Sequence, residues 1–189
     1  MQIAHEIQSI PLGTAIRESA LVYPVIMTTH LACIAVFGGM ILVTNFRLLG
    51  WAFKKYPAAD VVNGLRIWKR IGFCIMVTMG VLLAGSEAEK YSINPFFWWK
   101  MVFLGLALAH AFLFRHSVYG KAAEFDASGV IPGKAKAVAA LSIFLWFGVL
   151  TFGRLIGYYE PKDKDAGAPP AAQIHAQLVV DPARPGAAR

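Results

Sequence analysis

The run from Ala20 to Phe46, ALVYPVIMTTHLACIAVFGGMILVTNF, contains no formally charged residue. A helix rises about 1.5 Å per residue and bilayer hydrocarbon is about 30 Å thick, so about 20 apolar residues suffice to cross it. This stretch therefore reads as a membrane-spanning helix, and three others follow. Ile71 to Ser86 is uncharged and is extended back through Ile67 and Trp68 past Lys69 and Arg70, whose long stems can snorkel. A third span runs from about Pro95 to His116 with Lys100 one turn inside its start, and a fourth from about Ala137 to Tyr159, interrupted only by Arg154. The runs are too long for buried strands and lack the alternation of barrel strands. The expected fold is all-α: a polytopic four-helix up-down bundle, with spans at about 20–46, 67–86, 95–116 and 137–159.

Composition agrees. Hydrophobic residues make up 57% of the 189 residues and charged ones 15%, and mean hydropathy is +0.55. Soluble domains are about 45–50% apolar and about 25% charged, so disorder over most of the chain is excluded. The two cysteines form no C-x-x-C, which excludes a disulfide scaffold, a Cys-rich zinc site and a C-x-x-C-H haem attachment. The net charge of +7 would suggest nucleic acid in a soluble protein. Here the cations concentrate in two connections, 47–70 and 115–136, and no nucleic-acid partner is expected. By the bias of Lys and Arg toward the cytoplasm, those connections lie inside and both termini outside. Phe96 to Trp99 and Tyr158–Tyr159 then form an outer aromatic belt.

Residues 1–14 read as an extracytoplasmic lead-in, 15–160 as the bundle and 161–189 as a Pro- and Ala-rich extracytoplasmic tail. Residues 1–16 hold no Lys or Arg and no signal-peptide core, so the first span is expected to act as the insertion signal. Ile3, Ile7 and Ile10 recur at helical spacing, as in a segment lying on the membrane surface; a short solvated lead-in is the other reading. Thr14 is a candidate N-cap, and Pro24 is expected to kink the first span. A short helix is expected after Pro57. In the tail, Ile174 to Val180 is the one apolar cluster, short enough to be a docking strand.

Among the five histidines, His30 and His110 fall within spans. An ionisable residue inside a membrane is costly and is a functional candidate by default. Counted from the span ends, His30 lies roughly 15 Å and His110 roughly 20 Å deep on two helices running in the same direction. In an up-down bundle these helices are diagonal across the core, and facing imidazoles there could hold one bis-His haem b. Arg154, roughly 8 Å deep, is matched either to haem propionates or to outer lipid phosphates. Gly38, Gly80 with Ala84, and Gly153 with Gly157 offer flat faces, which serve a macrocycle or close helix packing equally well. His116 reads as interfacial, and Cys33 and Cys74 as small core residues. Three readings stay open for the histidine pair: haem ligation, a proton or substrate path, and hydrogen bonds between helices.

The segment Ile16-Arg17-Glu18-Ser19-Ala20 through Tyr23-Pro24, then His30, Gly38-Gly39 and Asn45-Phe46-Arg47-Leu48-Leu49-Gly50, resembles an uncharacterised family of bacterial four-helix integral membrane proteins over roughly residues 14–160. More distantly, the layout is similar to membrane b-type cytochromes. That resemblance implies haem on alternate helices, often two haems with two histidines per ligand helix; this chain has one mid-span histidine on its first helix. The expectation is a haem b-binding electron-transfer subunit of a larger complex in a cell membrane, the bacterial inner membrane. His30 and His110 would be the iron ligands and Arg154 the propionate partner, with other subunits and a quinone or redox protein as partners. The alternatives are a cofactor-free structural subunit and a small transporter or proton channel.

Overall fold

The computed structural model describes residues 2–160. Four of its helices are long and apolar enough to cross a membrane. These are α3 (Val22–Leu49), α5 (Arg66–Ser86), α7 (Pro95–Ser117) and α9 (Gly133–Leu155). Shorter helices flank them: α1 (Gln2–Gln8), α2 (Pro11–Glu18), α4 (Ala58–Gly64), α6 (Ala88–Ser92) and α8 (Ala122–Ser128). The tail and its apolar cluster lie outside the described residues.

The starts of the long helices follow local chemistry. Ser19 Oγ accepts from Val22 N–H (3.1 Å) in the turn before α3, which begins two residues later than expected. Pro24 thereby falls in the first turn, where its missing N–H costs no helical bond, and α3 runs unbroken where a kink was expected. Thr14 is no N-cap: Pro11 takes the first helical positions of α2, a place its fixed φ favours, and Thr14 lies within the helix. Asn94 starts α7, its Oδ1 accepting from Phe96 N–H (3.0 Å) while its Nδ2 donates to Ile156 O (3.1 Å) beyond the end of α9. The fourth span begins at Gly133, four residues before the expected Ala137, because Pro132 opens the helix and carries Lys134 and Lys136 into its first turn.

α3 packs on α5 and α9, and α9 packs on α7. The bundle is therefore ordered α5–α3–α9–α7, and among the described residues α5 and α7 share no extensive contact. One side stands open. Large apolar residues such as Leu31, Phe112, Leu113, Phe144 and Phe147 point outward, as lipid-facing positions do.

Two clusters make the interior. Midway, Met76, Trp146 and Val149 pack with Phe37, Phe73 and Phe103. At the end carrying the two basic connections, Leu48, Ala58, Val62, Val118, Phe125 and Val138 join α4 and α8 to the bundle. Asp126 of α8 is the polar link there. Its carboxylate accepts from Ala58 N–H (2.7 Å) and Ala59 N–H (2.8 Å) at the start of α4, and from Arg47 Nη2 (3.4 Å). At the other end α1 packs on α6, and α2 on α5 and α3. Gly13 makes that close approach: a Cβ there would lie 3.2 Å from Gln8 O and 3.5 Å from Gly85 O. There too, burial, with Tyr23 and Glu87 alongside, holds the Tyr91 hydroxyl well above the ordinary tyrosine pKa.

Candidate functional site: the histidines and the basic-end cavity

His30 and His110 are each engaged with a neighbouring helix. His30 Nδ1 donates to Met76 O of α5 (2.9 Å), and its ring abuts Gly80, where an added Cβ would lie 3.0 Å from Cε1. His110 is buried, packs on Phe114 and donates from Nε2 to Val138 O of α9 (3.1 Å). A carbonyl can only accept, so these bonds set the tautomers: the proton is on Nδ1 of His30 and on Nε2 of His110.

Their heights differ. Gly38 touches Trp146, and His30 lies eight residues of α3 farther from the basic end. His110 bonds Val138, eight residues of α9 on the basic side of Trp146. Eight helical residues span about 12 Å, so more than that separates the two imidazoles along the bundle. The comparable depth expected from span ends is not what the packing gives, because α3 starts later and Gly38 and Trp146 place the helices against each other. An iron held between the two imidazoles would require the helices to shift along the bundle. The flat face at Gly38 is covered by the Trp146 indole, and the face at Gly148 by Phe103.

Arg154 is exposed. Its guanidinium lies over the Tyr158 ring (5.1 Å) and Nη2 donates to the Tyr158 hydroxyl (3.0 Å). The cation that turns inward at this end is Lys100, whose stem covers Gly153. His116 is exposed near the basic end, and Cys74 is exposed too, unlike the core residue expected.

The open α5–α7 side leads into a cavity of about 340 Å³, with His110 on its wall. Phe37, Ile41, Phe73, Leu104, Leu108 and Trp146 make it apolar toward the bundle centre, while Arg66, Lys69, Arg70 and Arg115 line its basic end. Between them runs a polar chain. Lys69 Nζ donates to Thr44 Oγ1 (3.1 Å), Asn45 Nδ2 to Ser142 Oγ (3.0 Å), and Tyr119 OH to Asn45 Oδ1 (3.1 Å). Thr44 and Asn45 are both about 1% exposed. Sequence reading missed this chain. Its one signal was Asn45, an amide at the end of an apolar run, where a partner on another helix is required.

A family model described as a family of unknown function, DUF6644, matches residues 13–159. The chain belongs to this family. No curated protein and no solved structure matched it. The DUF6644 match covers all four spans together with α4, α6 and α8, and so takes in both the histidines and the cavity. The Asn45–Gly50 segment noted in the sequence acquires a structural account. Asn45 joins the cavity chain, Arg47 donates to Tyr56 O (2.6 Å) and pairs with Asp126, Leu48 is fully buried, and Gly50 closes α3 in the left-handed region at φ 73°.

Proposed function

We propose that this protein is a cofactor-free structural subunit of a membrane complex, in which His30 and His110 serve as ties between helices. One observation carries the reading: each imidazole gives its proton to a backbone carbonyl of an adjacent helix, at a different height. Such bonds are worth about 0.6–2 kcal/mol between membrane helices, enough to fix helix register without further chemistry. The complex would sit in a cell membrane, the bacterial inner membrane, with the basic connections facing the cytoplasm and other membrane subunits against its lipid-facing helices.

The haem reading is the rival, and one observation favours it. His30 spends Nδ1 on a carbonyl and leaves Nε2 free, which is how metal-ligating imidazoles are commonly oriented. In that reading His110 would supply the opposite nitrogen, Arg154 would face the propionates, and a quinone or redox protein would exchange the electron. A visible spectrum of protein purified from a haem-replete host separates the two. The structural reading expects no Soret band in oxidised or dithionite-reduced samples. A low-spin Soret band lost in both His30→Ala and His110→Ala would replace it with the electron-transfer reading.

A further inference from the structure

We propose that the basic-end cavity binds the headgroup of an anionic phospholipid, which reaches it sideways through the open α5–α7 face. The occupant must be amphipathic. One end of the cavity is walled by Phe73, Leu104 and Trp146 and the other by four cations, and no Asp or Glu lines it. Among the described residues none of the four cations has a carboxylate within ion-pairing distance. Arginine forks and a lysine ammonium match phosphate oxygens in geometry and charge.

Snorkelling alone does not account for Lys69. A snorkelling lysine stretches toward water, whereas Lys69 Nζ turns across to Thr44 on α3. Its ammonium has three donors, of which Thr44 takes one. The cavity volume, about 340 Å³, is the room of about eleven waters at about 30 Å³ each. That holds a phosphoglycerol headgroup and the first methylenes, with the remaining chains lying in the bilayer outside the opening. A soluble anion would make no use of the apolar wall. Basic pockets between membrane helices at the cytoplasmic boundary are a recurrent way of holding anionic lipid headgroups.

The test uses the full chain in lipid nanodiscs and in mild detergent, with retained lipid read by native mass spectrometry. Phosphatidylglycerol should be retained about tenfold over phosphatidylcholine. Lys69→Met should reduce that retention about tenfold, and Arg115→Gln should reduce it as well. Lys54→Gln, an exposed basic-end lysine outside the cavity, should change it less than twofold. Ala111→Trp keeps every cation and fills the opening beside α7; it should also lower retention about tenfold, and it decides the matter if Lys69→Met does not fold. Equal retention of the two lipids, or an equal loss in Lys54→Gln, would mean diffuse surface charge and overturn the site. Displacement of the lipid by millimolar inorganic phosphate would overturn the lipid assignment in favour of a soluble phosphate.

Discussion

At the scale of single residues the bundle is held by close approaches. A Cβ at Gly38 would lie 2.5 Å from Trp146 Nε1, and the indole, only 4% exposed, has no room to withdraw. Gly38→Ala should therefore destabilise the protein by about 1–3 kcal/mol, the usual cost of overpacking, measured by thermal unfolding in detergent. The histidine ties should weigh less and unequally. Met76 O keeps its place in the α5 ladder without His30, so His30→Ala should cost about 1 kcal/mol. His110→Ala also empties a buried site against Phe114 and should cost more, about 2 kcal/mol. Equal and negligible losses would show that the carbonyl bonds do not tie the helices. Both histidines were legible in the sequence as intramembrane polar groups. Their partners were not, because a backbone carbonyl has no sequence signature.

At the scale of elements, the four spans were legible from apolar length alone, and their ends only in part. The start of α7 at Pro95 matches the expected span, and Asn94 before it is the cap the structure adds. The turn at Ser19 that precedes α3 is not announced by the apolar run, which is why Pro24 reads as a kink in the sequence and falls in the first helical turn in the structure. The order α5–α3–α9–α7 could not be read from four similar apolar runs. The cavity depends on that order, since Lys69, Thr44, Asn45, Ser142 and Tyr119 come from four different segments. The short helix expected after Pro57 is α4, but its tie to the second basic connection is not legible: Asp126 joins the two by accepting two backbone N–H groups of α4. Asp126→Ala should release α4, destabilise the protein by about 2 kcal/mol and speed tryptic cleavage at Lys54 and Lys55. Asp126→Asn retains an acceptor and should recover part of the loss. Unchanged cleavage in Asp126→Ala would mean that the apolar packing of Ala58 and Val62 holds α4 unaided.

For the whole molecule the decisive property is the difference between its two ends. Among the described residues ten Lys or Arg lie at the end formed by 47–70 and 115–136, and Arg17, Lys90, Lys100 and Arg154 at the other. Glu87 and Glu89 offset the smaller set, with Glu87 on Lys90 Nζ (3.1 Å). Short basic connections resist transfer across the membrane, so the basic end should be cytoplasmic. The structure supplies reporters exposed at each end: Lys54 and Ala127 at the basic end and Lys90 at the other. In a Cys33→Ala, Cys74→Ala background, Lys54→Cys and Ala127→Cys should resist an impermeant maleimide in intact cells and react after lysis. Lys90→Cys should react in intact cells. The orientation also bears on the lipid site, because anionic headgroups attract basic segments most strongly at the negatively charged cytoplasmic leaflet. Labelling of Lys54→Cys from outside with protection of Lys90→Cys would invert the molecule and put the cavity in the opposite leaflet. The charge bias would then have failed as a guide to the placement of this bundle.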